Sequence, residues 1–161
     1  MYFPNIAPRD ANTSHGNKNL GDLPEWDLND LYEGEDAPQL TSDLQWLEGE
    51  CAQFAQDYQN KLATLNADEL LSCIHRNEKI SAIAGRIMSF AGLRYYQMTT
   101  DSNRAKFMSD AQEKITNFTT PLVFFTLEIN RLADGYLDTR FAQHKELARY
   151  KPVFDKIRAM K

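Results

Sequence analysis

The chain has 161 residues, of which 42% are hydrophobic and 25% charged, a composition typical of a globular domain. No window approaches 18 consecutive apolar residues, and residues 1–22 lack the apolar core of a signal peptide, so we exclude a membrane protein and a secreted one. Cys51 and Cys73 are too few for a disulfide framework and too far apart for a zinc or redox pair. We therefore expect a cytoplasmic protein with two free, buried thiols.

The net charge of −5 conceals an asymmetry along the chain. Residues 19–60 contain eleven Asp or Glu and neither Lys nor Arg, whereas residues 140–161 carry a basic excess. This basic stretch has no interleaved aromatic platform for nucleobases, and the acidic half would repel phosphate, so we exclude nucleic acid as a partner. We expect the two ends to attract each other or a neighbouring domain.

The first segments are a polar tail, residues 1–22, and an acidic lead-in, "LPEWDLNDLYEGEDAP", residues 23–38. We expect the tail to be disordered. In the lead-in, Asp27 or Asn29 should cap a short turn, and the carboxylates should point outward. Three large apolar side chains are expected to pin this extended segment against the rest of the domain: Trp26, Leu31 and Tyr32.

Apolar residues in the next segment are separated by steps of three and four, which predicts one buried helical stripe. The predicted first helix runs from about Ala37 to Leu65. Asp36 is its expected N-cap, and Pro38 is tolerated in the first turn because its missing N–H costs nothing there. The stripe consists of Leu40, Leu44, Leu47, Cys51, Phe54, Tyr58, Leu62 and Leu65.

Asn66, followed three residues later by Glu69, predicts a capping box at the start of a second helix that continues to about Met98. Two neighbouring apolar stripes on this helix indicate that it is sandwiched between other helices. Gly85 and Gly92 lie seven residues apart on one side, and each lowers helix propensity by about 1 kcal/mol relative to Ala. We expect them to admit a closely packed partner helix.

Asp101 is the predicted cap of a third helix, whose apolar stripe keeps its three-four rhythm through Pro121. We expect one helix that bends at Pro121, because the ring clashes with the carbonyl of Asn117 and supplies no N–H to it. The stripe consists of Met108, Ala111, Ile115, Phe118, Leu122, Phe125, Ile129 and Leu132.

Gly135 is the predicted end of the third helix. A short segment from Tyr136 should then lead to a final helix that begins near His144 or Pro152. No segment alternates with period two for long enough to form a sheet. The predicted fold class is therefore all-α, a bundle of long antiparallel helices that follows the extended acidic lead-in.

The sequence contains three histidines, His15, His75 and His144, and none has a second histidine four residues away. A zinc protease uses that spacing, within H-E-x-x-H, to project two ligands and a general base from one helix face. The Glu-x-x-His of di-iron bundles, a Gly-rich phosphate loop and a G-x-S-x-G elbow are missing as well. We predict neither catalytic residues nor metal ligands in this chain.

Three stretches resemble the oligoendopeptidase F family, a branch of the thimet-oligopeptidase-like zinc metallopeptidases. "WDLNDLYEGEDAPQL" resembles the family's W-D-L-x-D-L-Y opening. "DLQWLEGECAQFAQDYQNKLATLNADELLSCI" is similar to its first helical hairpin. "AGLRYYQMTTDSNRAKFMSD" resembles the end of its second helix and the start of its third. The resemblance covers residues 23–160 in order.

The resemblance implies that residues 23–161 form the N-terminal helical domain of such an enzyme, a non-catalytic wall of the channel that limits substrates to short peptides. In that family the zinc site, H-E-x-x-H with a downstream glutamate, belongs to a C-terminal catalytic domain that this sequence lacks. Zinc and peptide hydrolysis are therefore expected of the intact parent and not of this chain. A free-standing helical interaction module without peptidase activity is the alternative. The chain stops inside the predicted helix "YKPVFDKIRAMK" with no Gly, Asn or Pro stop signal after it, which favours a fragment.

After Pro121 the run "PLVFFTLEINRL" is apolar nearly all round, so one buried face cannot accommodate it. In the intact enzyme we expect the catalytic domain of the same polypeptide to cover the surplus apolar surface. In the isolated chain we expect a homodimer, or the N-terminal tail, to cover it. Trp46, Phe124 and Leu127 lie off the stripes, and two adjacent tyrosines cannot both face the same neighbour. The candidate docking or channel surface therefore consists of Trp46, Tyr95, Tyr96, Phe124 and Leu127.

Overall fold

A computed structural model describes residues 26–159, so the tail predicted to be disordered, residues 1–22, lies outside the described residues. From residue 26 to residue 159, seven α-helices follow one another and there is no strand. This confirms the predicted all-α class. The helices are α1 (Pro38–Tyr58), α2 (Ala67–Gln97), α3 (Ser102–Thr119), α4 (Val123–Arg131), α5 (Asp134–Gln143), α6 (Lys145–Ala148) and α7 (Lys151–Ala159).

The first three helices pack around one core, with each helix antiparallel to the next. The order of ion pairs shows this for α1 and α2, since Glu50 pairs with Arg76 whereas Asp43, earlier in α1, pairs with Arg86, later in α2. Phe90 and Phe107 lie edge to face at 5.9 Å near the start of α3. The core side chains with the least exposure on these helices are Leu40, Leu47, Cys51, Phe54, Leu70, Cys73, Ile80, Ile87, Phe90 and Ala91.

Helix α1 differs from its prediction at both ends. It begins at Pro38 with Ala37 as its N-cap and no side-chain cap, so the prediction of Asp36 as N-cap is wrong. It ends at Tyr58 rather than Leu65, because Asn60 takes a left-handed backbone with φ 63°. A 3₁₀ turn, Leu62–Thr64, then carries the apolar stripe on with Leu62 fully buried.

The start of α2 confirms the predicted capping box. The Asn66 side chain accepts a hydrogen bond from the Glu69 backbone N–H at 3.0 Å, and the Glu69 carboxylate accepts one from the Asn66 N–H at 2.8 Å. The prediction for the glycines is wrong within the described chain. A Cβ at Gly85 would meet no described atom within 4 Å, and one at Gly92 would meet only the Tyr96 ring, at 4.0 Å.

Helix α3 starts as predicted, because the Asp101 carboxylate accepts a hydrogen bond from the Asn103 N–H at 2.8 Å. At Pro121 the helical path continues, but as a 3₁₀ turn, Thr120–Leu122, between α3 and α4 rather than as one bent α-helix. No residue between Ser102 and Arg131 leaves helical backbone. The 3₁₀ turn accommodates a residue that cannot donate to the carbonyl one α-turn earlier.

The last third of the chain departs most from its prediction. Helix α4 ends at Arg131, and Gly135 lies in the first turn of α5 instead of ending a helix. The segment from Tyr136 is helical. Both alternatives for the last helix are realised, since His144 is the N-cap of α6 and Pro152 lies in the first turn of α7.

Candidate docking surface

A buried polar cluster holds the acidic lead-in against α1 and α2. The Tyr32 hydroxyl donates to the Asp43 carboxylate at 2.7 Å and accepts from Arg86 Nε at 3.0 Å. Arg86 also pairs directly with Asp43, and Gln39 donates to the other carboxylate oxygen at 2.9 Å. Burial, then the hydrogen bond to Asp43, raises the pKa of Tyr32 to about 12. Both Asp43 carboxylate oxygens accept hydrogen bonds, and the Tyr32 phenol stays neutral. The cluster is therefore suited to stabilising the fold rather than to transferring protons.

The structure confirms two of the three anchors expected in the lead-in and corrects the third. Tyr32 is buried and Leu31 half-buried, as expected, and the Asp27 carboxylate caps the short turn by accepting from the Asn29 N–H at 3.0 Å. Trp26, however, is 57% exposed, so it does not anchor the segment through its ring. Its backbone does so instead, because its carbonyl accepts a hydrogen bond from the Gln97 side chain at 2.8 Å.

A second arginine ties α2 to the middle and end of α1. Arg76 donates to Glu50 at 2.7 Å and to Asp57 at 2.7 Å, and its guanidinium lies over the Tyr58 ring at 5.3 Å. Hydrogen bonds from Arg76 and Gln53 lower the pKa of Asp57. This network fixes the register of the hairpin and leaves no carboxylate poised as a base.

The two cysteines and the two described histidines occupy ordinary structural environments. The thiols of Cys51 and Cys73 are free and buried, and burial raises their pKa values to about 11 and 12, which makes them poor nucleophiles. His144 Nδ1 accepts from the Leu147 N–H at 3.3 Å as a helix cap, and His75 lies 3.4 Å from Glu146. Between residues 26 and 159 there is no group of three His, Cys, Asp or Glu side chains placed to hold a metal ion.

The five predicted surface residues do not form one patch. Phe124 is only 8% exposed and stacks near Phe54 at 6.0 Å, so its predicted place on a docking surface is wrong. The physical reason is that Phe124 and Phe125 both pack around Phe54, whose ring lies 5.7 Å from that of Phe125. Trp46 is half-buried, with the Lys79 ammonium 4.6 Å from its ring centre.

Two of the five are open to solvent, and they lie at different ends of the bundle. Tyr96 is 61% exposed near the end of α2, and beside it Tyr95 is half-buried with its ring 5.4 Å away. Leu127 is 49% exposed on α4, one turn after Val123, which is 59% exposed. Antiparallel packing places α4 near the first half of α2, far from Tyr96.

A shallow groove of about 470 Å³ lies between α2, the Pro121 turn and α4. Its lining combines apolar side chains with hydroxyl and amide side chains, and none of the described residues that line it is charged. Sequence reasoning missed it, because α2 on one side and the Pro121 turn with α4 on the other are far apart in the sequence, and only the low charge of α2 between Ser81 and Tyr96 gave a signal. The lining residues are Asn77, Ile80, Ser81, Ala84, Thr119, Leu122, Val123, Phe125 and Thr126.

None of the helices from residue 26 to residue 159 is both long enough and apolar enough to cross a membrane. No protein-family model, curated protein or solved structure matches this chain.

Proposed function

We propose that the chain is the N-terminal, non-catalytic helical domain of an oligoendopeptidase F-like zinc metalloendopeptidase that hydrolyses short peptides. The observation that carries the proposal is the "WDLNDLY" lead-in with the hairpin that follows it. Asp27 caps the turn, and Tyr32 joins Asp43 and Arg86 in the buried cluster. The residues that carry the resemblance therefore also have a structural role that explains why this motif precedes this hairpin.

The chemistry of the described residues supports a non-catalytic role. Proteolysis by a zinc enzyme requires three protein ligands, an open coordination position and a general base. In the described chain the buried carboxylate Asp43 is saturated by Tyr32, Gln39 and Arg86. In this proposal the zinc, the bound peptide and the general base belong to a catalytic domain of the same polypeptide, which acts in the cytoplasm, and this domain contributes shape to the channel wall.

The alternative, a free-standing interaction module, is favoured by one observation. Phe124 is buried and Trp46 is half-buried, so the isolated domain covers part of the apolar surface that we expected a catalytic domain to cover. Leu127, Val123 and Tyr96 remain exposed and are available to a partner under either proposal.

The genomic reading frame beyond Lys161 tests the proposal directly. We expect it to continue into a catalytic domain with an H-E-x-x-H helix and a downstream glutamate. A stop codon after Lys161, or a continuation without that motif, would contradict the proposal and leave the interaction module as the better account.

A further inference from the structure

Helix α2 has an inner face that is well packed and an outer face that is largely exposed in the described chain. Ile80, Ile87 and Phe90 are buried on the inner face. The outer face of a surface helix normally carries charged residues, yet here it is uncharged for four turns. The charged side chains of Arg86 and Arg94 do not lie on this outer face, because they pair with Asp43 and Glu35. The outer residues are Ser81, Ala82, Gly85, Ser89, Gly92 and Tyr96.

The two glycines on this face have no role inside the described chain. Each weakens the helix by about 1 kcal/mol relative to Ala. No described atom lies within 4 Å of a Cβ built at Gly85, and a Cβ at Gly92 meets only Tyr96. Backbone exposed in this way permits another helix to approach closely, to an axial distance near the ~8 Å lower limit of helix packing.

The two ends of the outer face differ in shape. At the end near the C-terminus of α2, the Tyr96 ring projects into solvent and is 61% exposed. At the other end, Ser81 borders the uncharged groove, whose lining includes Ile80, Val123 and Phe125. One end is a protruding aromatic side chain, and the other is a depression with apolar side chains in its lining.

These features are self-complementary. Gly85 and Gly92 lie at equal distances on either side of a point between Met88 and Ser89, and so do Ser81 and Tyr96. If two α2 helices pack antiparallel about that point, Gly85 of one copy faces Gly92 of the other, and each Tyr96 ring meets Ser81 at the edge of the other copy's groove.

We propose that the occupant of this face is a second copy of the same chain, bound through an isologous, two-fold α2–α2 contact in which Tyr96 enters the groove of the other copy. The uncharged face matches itself, whereas the net charge of −5 on each chain would oppose most other self-contacts. The contact runs from Ser81 to Tyr96 on each helix, a length of about 22 Å. A contact of this length buries an area at the small end of the range for specific interfaces. We therefore expect a dimer with a dissociation constant in the micromolar range.

Sedimentation of the full 161-residue chain over a concentration series tests the proposal. We expect the mass to rise from 18.5 kDa toward twice that value. Gly85→Glu places a carboxylate at the centre of the contact and should raise the dissociation constant at least about tenfold, because an unpaired charge would be buried. Gly49→Glu is the matched control on α1, since Gly49 is also an exposed helical glycine with no described atom within 4 Å of its Cβ, and it should leave the dimer unchanged.

Engineered cysteines test the register, because the native thiols are buried. Ser89→Cys lies next to the two-fold axis and should form a disulfide-linked dimer on mild oxidation. Ser81→Cys should not, because the two copies of that position would be about 22 Å apart along the helices. A monomer at every concentration, a dimer that survives Gly85→Glu, or cross-linking of the Ser81→Cys variant instead of the Ser89→Cys variant would each overturn the proposal.

Discussion

Different kinds of polar contact stabilise the two halves of this domain. Between the lead-in, α1 and α2, arginines at Arg76, Arg86 and Arg94 each reach an acidic side chain on the earlier segment. Where α4 and α5 meet the loop after α1, side chains instead bind backbone groups. Glu128 accepts from the Asn60 N–H at 2.6 Å, and the Tyr136 hydroxyl lies 2.6 Å from the Leu62 carbonyl oxygen.

This difference explains the charge asymmetry of the sequence. The acidic stretch from 19 to 60 is not merely a solvated surface, because its carboxylates at Asp43, Glu50 and Asp57 are partners for cations on α2. In the second half an ion pair also occurs, between Arg158 and Asp134, but the contacts with the loop after α1 go to N–H and C=O groups that the irregular backbone leaves unpaired. Side-chain pairing therefore dominates the contacts of the lead-in, α1 and α2, and binding of loop backbone groups dominates where α4 and α5 meet that loop.

The largest effect is expected from removing the arginine that pairs with the most buried carboxylate of the first half, Asp43. Arg86→Met would leave Asp43, whose side chain is 9% exposed, without its charged partner, and should lower the free energy of unfolding by about 3 kcal/mol. Urea titration followed by circular dichroism measures this.

Arg94→Met is its control, because its partner Glu35 is 28% exposed, and an ion pair of that kind contributes less than about 1 kcal/mol. Equal losses at the two positions would show that burial of the carboxylate does not separate the two pairs.

A smaller loss is expected in the second half from Tyr136→Phe. The hydroxyl lies 2.6 Å from the Leu62 carbonyl oxygen and 2.8 Å from that of Leu65, which also accepts from Arg140 Nε at 2.9 Å. Its removal therefore takes a side-chain donor from the part-buried Leu62 carbonyl. We expect a loss of about 1–2 kcal/mol in the same urea assay.

Tyr150→Phe is the matched control, because its hydroxyl bonds only the exposed Glu78 carboxylate, at 2.8 Å. It should change the free energy of unfolding by less than about 0.5 kcal/mol. If both tyrosines cost the same, the loop carbonyls do not depend on Tyr136.

The smallest effect concerns pH. The pKa of Asp57 is lowered in the folded state by Arg76 and Gln53, so its stabilising contribution is present above the unfolded pKa of about 3.9 and is lost as the pH falls through the folded value. Asp57→Asn should therefore show a shallower loss of stability than the parent chain between about pH 4 and pH 2. Parallel slopes for the two proteins would show that the Arg76 contact does not perturb this carboxyl.

The sequence was a better guide to the first half than to the second, for a physical reason. The phases of α1 to α3 and the caps at Asn66 and Asp101 depend on residues within four positions, and these predictions were confirmed. The end of α1 depends on Glu128, which lies 66 residues or more away from the N–H groups that it accepts.

The same limit applies to the candidate surface. The exposure of Tyr96 follows from its position on α2, but the burial of Phe124 depends on how the Pro121 turn directs α4 onto Phe54. The orientation of α4 after this turn cannot be read from the sequence pattern of α4 itself. The groove beside Val123 was unpredictable for the same reason, since its walls come from three segments.

Zinc content and chelator-sensitive hydrolysis of short fluorogenic peptides, measured side by side on the 161-residue chain and on the polypeptide that continues past Lys161, test the central claim most directly. The account predicts neither zinc nor cleavage for the shorter chain, because hydrolysis needs a metal-activated water and its ligands, and both for the longer one. One tightly bound zinc per chain with cleavage by the 161-residue protein alone, or their absence from the longer polypeptide, would contradict it.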